Sequence, residues 1–197
     1  MEPDRKTVST DVGLNLWANA RLFGLLNLAL ADGYIGSFET KYLYNFWRPV
    51  TAIQNADTDG NPKTEVDPDW TPLVQTPPIS DYDSAHSVEG GAAAQVLRRF
   101  FGTDDISFET CSLTLPAGST CNKGSALSRS YTSFSEAADE NALSRILVGS
   151  ISGGRARKGS STAVGSAIEP SSCSCVLFTK SGTRGGVEAV RRAGASA

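Results

Sequence analysis

One histidine, His86, occurs in the whole chain of 197 residues, and its surroundings are chemically loaded. It stands in Ser80-Asp81-Tyr82-Asp83-Ser84-Ala85-His86-Ser87, just ahead of a helical run from Val88 to Phe101. Small residues followed by His at a helix start gather free backbone N–H groups and an imidazole around one point, which suits an oxyanion. Three cations recur in ordered company elsewhere. Lys41 and Arg48 are seven residues apart, or two helical turns, and are expected on one face of a common helix. Arg145, after Ser144, is the third, on a later helix. Each alone reads as a solvated helix charge. Together with His86 they form the set Lys-x6-Arg-Pro, Ser-Ala-His-Ser and Ser-Arg-x3-Gly. Permanent cations with helix-terminal N–H groups would bind a tetrahedral anion such as phosphate or vanadate through paired hydrogen bonds. The same donors would stabilise a trigonal-bipyramidal phosphoryl transition state, whose geometry vanadate mimics.

The elements that must hold these residues read as mainly α, a helical bundle. Ser9-Thr10-Asp11 offers caps for a first helix, roughly Val12 to Ala31, with Leu14, Trp17, Ala18, Leu25 and Leu28 inward and Asp32-Gly33 at its end. A second helix is expected from Ile35 to Trp47, stopped by Pro49. Residues 50 to 80 form a long polar connection. Within it, Asn55 to Gly60 opens like a calcium loop, but Val66 stands where the closing Glu belongs and Pro62 interrupts, so a solvated turn is expected. Gly102 is a natural cap for the His86 helix. Residues 107 to 132 alternate weakly and suggest a short hairpin. Ser133 to Gly149 returns to helical spacing, with Ser135 as cap and Ala138, Leu143, Ile146 and Leu147 inward.

The bulk properties narrow the options. A length of 197 residues suits one domain with a real core, and 40% apolar with 20% charged residues is ordinary for a soluble protein. A net charge of −3 gives no basic field for nucleic acid. The apolar stretch Leu22 to Ala31 is too short to span a bilayer. The opening MEPDRKTVSTD lacks a secretory signal, leaving a cytoplasmic protein or a true start further upstream. Cys111 and Cys121 flank a turn-rich segment and would close a small loop in an oxidising compartment. Cys173-Ser174-Cys175 carries no reading.

The three motifs, in this order and spacing, resemble those of the vanadium-dependent haloperoxidases and the related type 2 phosphatidic acid phosphatases. Lys-x6-Arg-Pro is complete from Lys41 to Pro49; Pro-Ser-Gly-His appears as Asp83-Ser84-Ala85-His86, with two positions changed. Ser-Arg-x3-Gly-x-His begins at Ser144-Arg145 and reaches Gly149, then has Ile151 in the histidine's slot. Tyr44-Asn45-Phe46-Trp47 and Thr76-Pro77-Pro78 look more like bacterial haloperoxidases than membrane phosphatases. The resemblance covers about residues 10 to 149. It implies vanadate as cofactor, or phosphate in the phosphatase alternative, and hydrogen peroxide, halide and an organic acceptor as substrates. Arg48 and Arg145 would then balance the vanadate charge. Lys41 would bind it too and polarise peroxide. Ser84 and the Ala85 N–H would donate to equatorial oxygens, and His86 would be the acid/base. The β-carbon of Ala85, where the family has Gly, would crowd the oxyanion. The missing second histidine is the metal ligand in the peroxidases and the nucleophile in the phosphatases, so an impaired peroxidase, a phosphatase and a non-catalytic oxyanion-binding protein remain three readings. Assembly of identical copies stays open.

The composition changes at Ser150 to Gly, Ser, Ala and Arg, in the same place where the motif fails. Residues 1–149 thus read as a partial helical domain and 150–197 as an aberrant low-complexity tail, expected to be disordered. A back-translation with suitable codons, regrouped from the last base of the Gly149 codon, gives Ile-His-Phe-Arg-Arg-Ala-Arg. That frame restores Gly-x-His, and one deleted base would produce the chain as written.

Overall fold

The computed structural model describes residues 8–112, 115 and 117–153. The tail expected to be aberrant lies, from residue 154 on, outside the described residues. Among the described residues the principal elements are α1 (Leu16–Tyr44), α2 (Pro49–Gln54), α3 (Ala85–Phe101), β1 (Phe108–Cys111), β2 (Ser128–Tyr131) and α4 (Phe134–Leu147). The architecture is mainly α, as the periodicity implied.

The amino-terminal half differs from expectation. Residues 8–11 are helical, the helix breaks after them, and α1 starts at Leu16, capped by Asn15, whose side chain accepts from the Ala18 N–H at 2.9 Å. It then runs straight through Asp32-Gly33, joining what the sequence divides into two helices. Gly33 is there for contact and not as a stop: a β-carbon on it would lie 2.9 Å from Val88 Cγ1 of α3. The buried row of α1 is Leu22, Leu26, Gly33, Ser37 and Lys41, whereas Trp17 and Leu28, expected inward, are exposed. The helix ends at Tyr44 rather than Trp47, because Asn45 turns into the left-handed region at φ 44°.

α3 is the central element, packed on α1 on one side and on α4 on the other. Its alanines 92, 93 and 94, with Leu97, let both neighbours approach closely, and Gly102 at φ 79° caps it. The main core gathers Val8, Leu22, Leu26, Leu97, Phe108 and Phe134. Phe134 stacks on Phe101 and packs at a tilt against Phe108, each centroid 5.9 Å away.

α4 opens on a capping box: Ser133, not Ser135, is the cap and accepts from Glu136 N–H at 3.0 Å, while Glu136 accepts from Thr132 N–H at 2.6 Å. Phe134, Ala138 and Ala142 face inward; Ala138 stands as expected, whereas Leu143 and Leu147 are exposed and Ile146 is half-buried, with Ala142 taking the inward place expected of Leu143. The hairpin is real, with β1 antiparallel to β2 in the register Phe108↔Tyr131. A disulfide joins Cys111, at the end of β1, to Cys121 in the connection to β2, Cα atoms 5.9 Å apart. Closing a loop of this size contributes about 2–3 kcal/mol.

The 50–80 connection is ordered, opening with α2 and a 3-10 turn at Ala56–Thr58. Its calcium-like segment is a closed turn, with the Asp59 carboxylate accepting from Asn61 N–H at 2.7 Å and from Thr64 Oγ1 at 2.8 Å. Among the described residues no group of acidic, His or Cys side chains could hold a metal, and no helix is long and apolar enough to cross a membrane.

Candidate oxyanion site

The start of α3 supplies one half of the site. Ser84 is its N-cap, buried, with its hydroxyl accepting from Ser87 N–H at 3.3 Å. The N–H groups of Ala85 and His86, in the first turn, have no carbonyl four residues back within the helix. Asn141 on α4 donates to the His86 carbonyl at 2.8 Å, tying the two helices together at this point. One turn later on α4, Arg145 Nη1 lies 3.4 Å from His86 Nε2, and Arg145 Nε is buried with no partner. The imidazole pKa is lowered from its usual value, first by burial and next by the Arg145 guanidinium, with Lys41 and Arg48 adding smaller pushes and Glu89 opposing. His86 is therefore neutral at pH 7, and all three other cations lie within electrostatic reach of it.

Lys41 and Arg48 form the other half, and they do not share a helix face. Arg48 lies beyond the left-handed turn at Asn45, as the N-cap of α2. Lys41 is fully buried and its ammonium donates to the carbonyls of Ser80 and Asp81, both at 3.1 Å, and of Asp83. An ammonium has three protons, so this accounts for all of them. Burial first, and Arg48 second, push its pKa down to about 8, while Asp83 and Asp81 pull upward. Arg48 donates through Nε to Ile79 O at 2.7 Å and through Nη1 to Ser150 O at 2.9 Å. Burial also lowers the Arg48 pKa, against the attraction of Asp81.

Two carboxylates not singled out from the sequence complete this half. Asp83 and Asp81 are buried; Asp83 accepts from Ser37 Oγ at 2.5 Å and Asp81 from Ser152 N–H at 3.4 Å. A signal existed for the partners: Ser37 precedes Lys41, and Asn141 precedes Arg145, by four residues on one helix face. For the carboxylates the signal was weaker, since acidic residues beside a turn normally read as solvated.

The third motif ends in a tight turn. The Arg145 carbonyl accepts from the N–H groups of Ser150 and Ile151, at 3.1 and 3.2 Å. Gly149 has φ 72°, and a β-carbon there would sit 2.9 Å from the Trp70 ring. The long connection thus packs onto the motif, with Leu73 N–H donating to Val148 O at 3.0 Å. Ile151 is 5% exposed and apolar, offering no atom to ligate a metal. The unpartnered Arg145 Nε and the α3 N–H groups suit the oxygens of a tetrahedral anion; a direct bond from the protein to vanadium has no donor in this slot.

On this three-helix core Arg145 lies against His86, and Lys41 and Arg48 are close enough to act on the imidazole, so the Lys-Arg, Ser-Ala-His and Ser-Arg segments come together. Residues 21–168 match the family described as the VCPO second helical-bundle domain, and the chain belongs to that family. It is 36% identical over 92 residues to the vanadium chloroperoxidase of Curvularia inaequalis, a stretch covering 42% of this chain and 14% of that protein. The fold is similar to that of a bacterial vanadium-dependent iodoperoxidase, with TM-score 0.67 and 30% identity over 81% of this chain and 34% of that one. It also resembles a bacterial vanadium-dependent chloroperoxidase in its holo form, with TM-score 0.54, 22% identity and 68% of this chain covered against 31% of that one, a likeness of fold. The chain spans about a third or less of the length of these relatives.

Proposed function

We propose that the protein binds a tetrahedral oxyanion, vanadate or phosphate, between the start of α3 and Arg145, and that its peroxidase chemistry is impaired. The observation carrying this reading is the Arg145–His86 pair at 3.4 Å with Arg145 Nε buried and unpartnered. In that arrangement Arg145 neutralises anion charge and the Ser84 hydroxyl with the Ala85 N–H donates to its oxygens. Neutral His86 can accept a proton from, or return one to, an apical oxygen. Lys41 and Arg48 supply long-range positive potential while they hold the 79–83 segment. When bound, vanadate in this family supplies the Lewis acidity that activates peroxide toward halide and so yields hypohalous acid.

Impairment follows from Ile151, which occupies the slot of the ligand histidine. The neighbouring change of composition supports a lost base in the Gly149 codon. Vanadate-dependent bromide oxidation should be absent or nearly so in the chain as written, and should appear when the base is restored. Codons that cannot encode His in the shifted frame, or turnover in the unrepaired protein equal to that of the repaired one, would overturn this part. Phosphomonoester hydrolysis without halide or peroxide would instead favour the phosphatase reading. Anion binding with no turnover of either kind supports the non-catalytic one, which buried Ile151 favours.

A further inference from the structure

α1 is apolar on both sides, and only one side is covered by the described residues. Opposite its buried row runs a second row in which Trp17, Leu28 and Ile35 are 83, 64 and 68% exposed, with Phe38 and Tyr42 also exposed. Gly24 and Ala31, exposed too, complete a spacing of sevens, fours and threes, the seam of a coiled coil over most of a 29-residue helix. A helix apolar all round is one that is buried all round.

We propose that a second copy of this chain covers this face, its α1 running antiparallel to the first. The row is self-complementary in that direction. Centred between Ala29 and Leu30, antiparallel pairing sets Ile35 against Gly24 of the other copy and Leu28 against its Ala31, large on small twice over on each side of the axis. Trp17 meets Tyr42 at both ends. Arg21, whose guanidinium sits 5.8 Å over the Phe100 ring of its own chain, comes against Phe38 and Glu39 of the other copy, so the charges match as well. Parallel pairing in register would instead place Gly24 on Gly24, Ala31 on Ala31 and Arg21 on Arg21, leaving voids and like charges facing. An isologous twofold contact of this kind closes on itself and stops at two copies. The inference is independent of the anion site.

Sedimentation velocity of the full chain should give a dimer, and Ile35→Asp, at a position exposed in the single chain, a monomer with unchanged far-UV circular dichroism. Direction is read by cross-linking in a Cys173→Ser, Cys175→Ser background. Gly24→Cys with Ile35→Cys should form a disulfide dimer on oxidation. Gly24→Cys alone should not, because the two copies' residues 24 would be about 16 Å apart along the helix. Arg21→Glu should weaken the dimer at least tenfold, and Glu39→Arg added to it should recover most of that loss. A parent chain that stays monomeric at ~100 µM, or cross-linking by Gly24→Cys alone, would overturn the proposal.

Discussion

The two halves of the cationic site use positive charge in opposite ways. Lys41 gives its three ammonium protons to the carbonyls of Ser80, Asp81 and Asp83, and Arg48 gives two of its five N–H protons to those of Ile79 and Ser150, beside the buried carboxylates of Asp81 and Asp83. Arg145 faces His86 and keeps a buried Nε without a partner. Lys41 and Arg48 shape a loop, Lys41 with no proton to spare, whereas Arg145 keeps a buried donor unused beside His86. Charge alone therefore does not identify an anion-binding residue, since what decides is whether its donors are already committed.

The largest effect expected from this contrast is on stability. Lys41→Met strands three carbonyls and removes the cation facing two buried carboxylates, at about 3–5 kcal/mol. Denaturant unfolding checks this, and Arg145→Ala in the same assay should change stability by less than about 1 kcal/mol. Equal losses from the two variants would erase the distinction. Gly149→Ala comes next, at about 1–3 kcal/mol. Its β-carbon would meet Trp70 at 2.9 Å and its φ of 72° suits only glycine without strain. A midpoint unchanged by this substitution would detach the connection's Trp70 from the third motif.

The pH response is smaller and has two signs. The folded pKa of Lys41 is about 8 against an ordinary 10.5, so between these values the unfolded chain binds more protons and stability rises with pH. Over the same rise Lys41 loses its charge, so phosphate affinity falls through about pH 8. Both trends should vanish in any folded fraction of Lys41→Met. An affinity flat from pH 7 to 10 in the parent would show that Lys41 contributes no potential at the site.

What the sequence disclosed followed from how local each signal is. The Gly102 cap of α3 and the hairpin rest on neighbouring residues and stand where turn chemistry and alternation place them, whereas α3 starts at Ala85, ahead of the expected Val88, because Ser84 caps it. The continuity of α1 through Asp32-Gly33 depends on Val88, a residue 55 positions away, and so was not legible. Nor was the exposure of Trp17, Leu28, Leu143 and Leu147, because apolar spacing marks a face without saying what covers it. The motif residues Lys41, Arg48, His86 and Arg145 were legible by type and order. Their division into committed and open donors was not, since the acceptors are backbone carbonyls, which every residue carries.

The central claim is that the open half binds a tetrahedral anion. A calorimetric titration of vanadate into the full chain, repeated with phosphate present and with Arg145→Ala, tests it most directly. One vanadate should bind per chain, phosphate should compete, and Arg145→Ala should lose roughly 10- to 150-fold in affinity, the worth of a charge-assisted hydrogen bond of about 1.5–3 kcal/mol. No saturable heat with the parent, or an Arg145→Ala variant that binds as tightly, would contradict it.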